Sequence, residues 1–334
     1  MNKNSVFLKY LNRPLKELIK GVTYPCFKKW LKESESYQDW FHARSFSGSP
    51  KNFLTINAWR QRLLLAYYQK TPADLNQTIQ ETPNLKLAVV VHVFYIEVFK
   101  EIMEILPFVP SEDIKYYITT TSNNHKEIES ILSKKSIPYL IMDCENRGRD
   151  ILPFLLLLPT VIADDRNVIL KLHTKGSNHL NRKHLWKNDL YNKLIGHSQI
   201  VNCLNLFRNY QSLGMIAPEG HVLPMILYYG SNALRIKNLL GLNGDGQKQH
   251  YHLDFIAGSM FYARTKVLQP LLHLNLTNED FEIEDGQLDG TLAHAVERIF
   301  SWYLPQLGYY LGDTNPASYP DIQYKVTVNH KFTI

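Results

Sequence analysis

The chain has 334 residues, 45% of them hydrophobic and 20% charged. That balance allows a sizeable buried core and excludes a disordered or low-complexity protein. Its three cysteines, Cys26, Cys144 and Cys203, show no CxxC spacing, which argues against a disulfide framework or a structural zinc site and fits a reducing compartment. The net charge of +6 is uneven: as far as Lys70 there are 13 Lys/Arg against 4 Asp/Glu, a surplus of +9 that leaves about −3 for the rest. The start of the chain lacks the apolar core of a signal peptide, and its longest apolar run, Ile151 to Ala163, is too short to span a bilayer. A cytoplasmic protein is expected.

Residues 1–84 read as a basic helical appendage. Phe7, Leu8, Leu11, Leu15 and Leu18 recur at helical spacing with lysines and arginines between them, a pattern that suits either an anionic membrane surface or packing on the chain's own body. No zinc finger or RNP-like strand accompanies the charge, so no nucleic-acid partner is expected. From Leu85 the pattern changes. Strands are predicted at Lys86 to Val93, Ile114 to Thr120, Pro138 to Met142 and Val168 to Leu172. Helices are predicted from Ile96 to Leu106, from a Thr121-to-Asn124 cap to Lys134, and along Ile151 to Ala163. Alternating strands and helices at this spacing mean βαβ units and a mostly parallel sheet flanked by helices. Further on, a helical region spans Leu185 to Tyr210, a strand Leu213 to Ala217, and a glycine-marked loop Gly230 to Leu253. Then follow a strand from Phe255 to Arg264, an acidic run from Asn278, a helix from Leu288 to Leu304 capped by Asp289, and a short strand at Tyr309 to Leu311. The tail, 314–334, reads as irregular.

Two polar clusters fall at strand ends, where an α/β protein places its chemistry. Asn146-Arg147-Gly148-Arg149-Asp150 lies between a strand and a helix, where backbone amides and arginines bind phosphate or sugar; the alternative is a surface turn with Arg149 and Asp150 paired. His173-Thr174-Lys175 ends the next strand. Lys175 can neutralise a diphosphate, and His173 can ligate a metal, hydrogen-bond a diphosphate or orient a neighbour. A carboxylate at the start of the last helix can deprotonate an acceptor hydroxyl. Asp289 is the first candidate, with Glu297 and Asp285 behind it, and Glu297 has a rival role in pairing with Arg298.

The blocks NRGRDILPFL (Asn146 to Leu155), KLHTKGS (Lys171 to Ser177), AGSMFYAR (Ala257 to Arg264) and EDGQLDGTLAHAVERIF (Glu284 to Phe300) resemble, in order and spacing, the rhamnan synthesis F family of bacterial polysaccharide glycosyltransferases. The resemblance covers about Leu85 to Asp313, read as the catalytic domain. It implies transfer of rhamnose or another deoxyhexose or hexose from a nucleotide-diphosphate sugar to a growing lipid-linked O-antigen, capsule or cell-wall glycan. A non-catalytic glycan-binding or assembly subunit is the alternative. The chain also resembles GT-A glycosyltransferases, a Rossmann-like α/β fold, which implies an inverting displacement. His173-Thr174-Lys175 stands where those enzymes carry a metal-binding DXD motif, so no cofactor is expected, with Mg²⁺ or Mn²⁺ left open. The donor set is then Asn146, Arg147, Gly148, Arg149, Asp150, His173, Lys175 and His92. The acceptor set is Gly258, Ser259, Met260, Arg264 and Trp186.

Overall fold

The computed structural model describes residues 85–106, 113–135, 137–174, 181–196, 198–224, 230–241, 254–287 and 289–315. The expectations for 1–84, for Lys175, for positions 242–253 of the glycine-marked loop, and for the tail beyond 315 fall outside these residues, as does the side chain of Trp186.

A seven-stranded sheet runs in the order β3-β2-β1-β4-β8-β5-β9. Its first half is β1 (Leu87–Val93), β2 (Ile114–Thr120), β3 (Tyr139–Asp143) and β4 (Val168–His173), all parallel. Its second half is β8 (Phe261–Arg264), antiparallel to both neighbours, then β5 (Leu213–Ala217) and β9 (Tyr310–Asp313), which are parallel to each other. β6 (Val222–Pro224) and β7 (Asp254–Ile256) form a separate two-stranded sheet.

Both faces are covered, which explains the continuous apolar run of β1, every residue of which is buried. Leu87, Val89, Val91 and Val93 face one core layer. There α1 (Ile96–Ile105), α2 (His125–Ser133), α4 (Asn181–Ile195) and α5 (Gln199–Asn209) supply Phe99, Leu132, Leu190 and Phe207. Ala88 and Val90 face the other layer, built by α3 (Ile151–Ala163), α6 (Ala233–Leu239), the short α7 (Thr265–Leu268) and α8 (Leu292–Ile299). α3 is apolar almost all round because it lies deep, with Phe154, Leu157, Leu158 and Val161 buried. No described helix is long and apolar enough to cross a membrane.

Local chemistry redraws several predicted boundaries. The helical region 185–210 breaks around Gly196, and Ser198 sits in the left-handed region at the start of α5. Part of the expected glycine-marked loop is the helix α6, held by buried Ile236. The strand predicted over 255–264 is two strands, because Gly258 (φ 90°) and Ser259 (φ 49°) turn the chain between sheets. The last helix begins at Leu292 and not Leu288, capped by Thr291 and not Asp289. The turn at Thr121 to Asn124 is a short 3₁₀ segment, Ser122–Asn124, with no side-chain cap on α2.

Candidate functional site

The strand order reverses between β1 and β4, and in such sheets a crevice opens beyond the carboxyl ends of the strands. His92 of β1 lies opposite His173 of β4 at that crevice. Because β8 is antiparallel, its first residue, Phe261, pairs with Lys171, which brings the Gly258–Ser259 turn to the same edge. α3 starts there too, with Asp150 as its N-terminal flanking residue. α8 closes the other side. Together they enclose a cleft of about 500 Å³. Arg149, Asp150, His173, Ser259, His294 and Glu297 are among its walls, and Phe94 and Tyr95 stand exposed at its rim.

Asp150 is the hub. Its Oδ2 accepts from the ammonium of Lys171 and from the Ser259 hydroxyl. Lys171 Nζ also donates to the Ser259 carbonyl at 2.9 Å and lies 3.3 Å from the Ser259 hydroxyl. Only 1% of the Lys171 side chain is exposed. The ammonium lies 5.4 to 6.0 Å from the ring centroids of Phe154, Phe261 and Phe300. Burial alone would push the Asp150 carboxyl up, but the charges of His173 and Lys171 and the two donated hydrogen bonds hold it well below the usual carboxylate range. His173 Nε2 donates to the Gly258 carbonyl at 2.9 Å, and its Nδ1 faces Asp150 Oδ1 at 4.0 Å. Glu297 accepts from the Gly258 amide at 2.8 Å and lines the cleft.

His92 is buried, with Nδ1 3.0 Å from the Thr119 hydroxyl. Burial lowers it from 6.5 to about 4; Asp150 pulls it up, while His173 and Lys171 push it down. Its native value lies below its unfolded value, so the unfolded chain binds the extra proton first as pH falls. Stability should therefore be full above pH 6.5 and decline toward pH 4, by on the order of 3 kcal/mol from this residue. Urea unfolding of the wild type and of His92→Gln across this range should show a flatter pH dependence in the variant.

The arginine turn is tied to the acidic run. Arg149 amide donates to Glu284 at 3.0 Å, its Nε lies 3.5 Å from the same carboxylate, and its guanidinium donates to the Gln287 carbonyl. It still faces the cleft, as does Asn146. Arg147 does not: it donates to the Asn278 carbonyl at 2.9 Å and bridges Ile283. Gly148 serves the turn itself, since φ is +64° and a Cβ there would meet Leu152 at 2.5 Å.

Several predicted roles shift on this geometry. Asp289 is absent from the cleft wall; it accepts from Asn232 at 2.6 Å and Arg298 at 3.0 Å, which lowers its carboxyl against the opposing effect of burial. Arg298, the predicted rival partner of Glu297, is the residue that pairs with Asp289. Asp285 is exposed and also off the cleft. Met260 is fully buried. Arg264 is a core anchor and not an acceptor contact: it donates to the carbonyls of Leu213, Phe207 and Tyr210 and covers the Phe207 ring. Gly258 and Ser259 do line the cleft. Lys171, Phe94, Tyr95, Glu284 and His294 were given no role by the sequence. For Lys171 a signal existed: a single charge inside the apolar strand VILKLH, where an unpaired lysine would not be tolerated.

The pattern of the rhamnan synthesis protein F family matches residues 51–309, starting inside the segment set apart above as an appendage. Uncharacterized protein WxcX from two strains of Xanthomonas campestris pv. campestris is 31% identical over 292 residues. That alignment covers 82% of this chain and 42% of WxcX, so the chain spans less than half the length of these relatives. Mannosyltransferase PcManGT from Pyrobaculum calidifontis, solved in complex with GDP-Man and Mn2+, aligns over 78% of this chain and 64% of its own. Its sequence identity is 12% and its TM-score 0.36, and a likeness that loose supports no inference about chemistry. On the family pattern and the identity to WxcX, the chain belongs to the rhamnan synthesis protein F family.

Proposed function

We propose that this chain is a polysaccharide glycosyltransferase that moves a sugar from a nucleotide-diphosphate donor to a growing bacterial surface glycan. Family membership supports the class. The observation that carries the reading is the cleft at the strand-order reversal, with cationic and imidazole groups, Arg149 and His173, on its wall and the carboxylate of Glu297 also facing it. Arg149 and His173 stabilise the departing diphosphate, where negative charge grows as the bond to the anomeric carbon breaks. Lys175 belongs to the same proposal. Glu297 takes the proton of the acceptor hydroxyl as its oxygen attacks the anomeric carbon, and the nucleoside diphosphate leaves with the bonding electrons. This single displacement inverts the anomeric centre. Glu297 replaces Asp289 as the proposed base because it reaches the cleft. Rhamnose or a related deoxyhexose is the proposed sugar, a lipid-linked glycan the proposed acceptor, and the basic segment 1–84 the proposed contact with an anionic membrane.

Among the described residues no three His, Cys, Asp or Glu side chains are grouped to hold a metal ion, and the Asp150 carboxylate is already taken by Lys171. With the Lys171 ammonium already on that carboxylate, a side-chain cation takes the place of a metal ion in this proposal, and transfer is proposed to be metal-independent. Activity should persist in excess chelator; loss of activity that Mg²⁺ or Mn²⁺ restores would contradict this. The function itself is tested by incubating purified protein with a panel of nucleotide sugars and following nucleoside diphosphate release. Binding of a glycan without turnover of any donor would favour the assembly-subunit alternative.

A further inference from the structure

The ammonium of Lys171 has the surroundings of a bound cation. It is buried, and three oxygens surround it: the Asp150 carboxylate, the Ser259 carbonyl and the Ser259 hydroxyl. An ammonium has three N–H donors and no acceptor, so these oxygens match its capacity. The groups it joins come from three separate places in the chain. Asp150 starts α3, Ser259 precedes β8, and Lys171 itself belongs to β4. Two left-handed non-glycine residues flank the junction, Arg149 (φ 55°) and Ser259 (φ 49°). Such conformations cost free energy and persist only where surrounding contacts over-determine them. Lys171 provides such contacts to Ser259, and through Asp150 to the turn that holds Arg149.

His173 adds a second consequence. A carbonyl can only accept, so the contact of Nε2 with Gly258 places one proton on Nε2. A second proton must go to Nδ1, which faces Asp150. The carboxylate that would stabilise this imidazolium is shared with Lys171. Among the described residues, the other titratable groups around the cleft are His92 from β1, Tyr95 just after it, His294 and Glu297 from α8, Arg149 from the turn before α3 and Glu284 from the acidic run.

We propose that Lys171 is a positioning residue: its buried ammonium fastens Asp150 to the Gly258–Ser259 turn, as a bound cation would, and thereby sets the charge that His173 carries at the cleft wall. Lys171 has its protein oxygens filled and does not itself meet a ligand. Its effect on chemistry passes through His173, and that consequence alone rests on the proposed donor site.

The test needs no substrate. Histidine ring ¹H–¹⁵N spectra of the full chain are recorded against pH for wild type, Lys171→Met and Asp150→Asn, with His173→Gln to identify the signal. Wild-type His173 should show the Nε2–H tautomer when neutral. Lys171→Met removes a neighbouring positive charge and leaves Asp150 with the uncharged Ser259 hydroxyl and His173, so the His173 midpoint should rise by about one unit, a tenfold change in proton affinity. Asp150→Asn should lower it by a similar amount. If Lys171→Met does not fold, Ser259→Ala supplies the second case: it removes the hydroxyl shared by Lys171 and Asp150, and the His173 midpoint should again move from the wild-type value. A His173 midpoint unchanged in the folded variants, or an Nδ1–H tautomer in the wild type, would overturn the proposal. Inactivity toward every nucleotide sugar would refute the proposed function and leave this result standing.

Discussion

Glu297→Gln is expected to lower sugar transfer at least about a hundredfold while leaving nucleoside diphosphate affinity within about threefold of wild type. The amide keeps the shape of the side chain and can still accept from the Gly258 amide through its carbonyl oxygen. It cannot take a proton from the acceptor hydroxyl. A loss confined to the turnover number, at the donor that the panel identifies, therefore separates a base from a binding residue. Asp289→Asn provides the contrast. Asp289 is engaged by Asn232 and Arg298 and does not line the cleft, so its loss should reduce melting temperature and change turnover by less than about tenfold. The reverse ranking would return the base to Asp289 and require the turn before α8 to reach the acceptor.

Asp150→Ala should be among the most damaging single changes to stability, at about 3 to 5 kcal/mol. The reason is an asymmetry in what each partner keeps. Without Lys171, Asp150 still has the Ser259 hydroxyl and faces His173. Without Asp150, the Lys171 ammonium stays buried among three phenyl rings with the two oxygens of Ser259. Such a loss is a large part of the roughly 5 to 15 kcal/mol that stabilises a typical domain. Pairing Asp150→Leu with Lys171→Met removes both charges, and the double variant should be more stable than Asp150→Ala by at least about 2 kcal/mol. Denaturant unfolding of the wild type, Asp150→Ala and the double variant measures this. Equal instability in the single and double variants would show that the pair acts mainly through backbone geometry. The pH dependence has a fixed sign. The native Asp150 carboxyl titrates below its unfolded value, so its contribution is present above the normal aspartate range, near about 3.9, and is lost as pH falls beneath it.

Much of the fold is readable from the chain because its cause is local. The apolar runs of β1 and β4 and the almost wholly apolar α3 state that the first half of the sheet is parallel and covered on both faces. The Asn146-to-Asp150 turn and His173 are recognisable by their place at strand ends, and both reach the cleft. What escapes local reading depends on non-local pairing. The antiparallel direction of β8 is set by its neighbours, and it alone brings Ser259 to Lys171. The break of 255–264 into two strands follows from the same placement. Asp289 looked like a helix cap because acidic residues favour that position, but Thr291 takes it with His294. Arg264 was placed in the acceptor set, but three carbonyls of the 207–213 segment claim it, contacts that only the tertiary fold brings about.

In the proposed mechanism one cleft receives the donor diphosphate beside Arg149 and His173, with Glu297 within its walls. A crystal structure of the full chain with the nucleoside diphosphate of the best donor tests this most directly. The diphosphate is expected against Arg149 and His173, with the space for the sugar opening toward Glu297. A diphosphate bound elsewhere on the chain, or a cleft that stays empty at ligand concentrations that saturate the protein in solution, would contradict it.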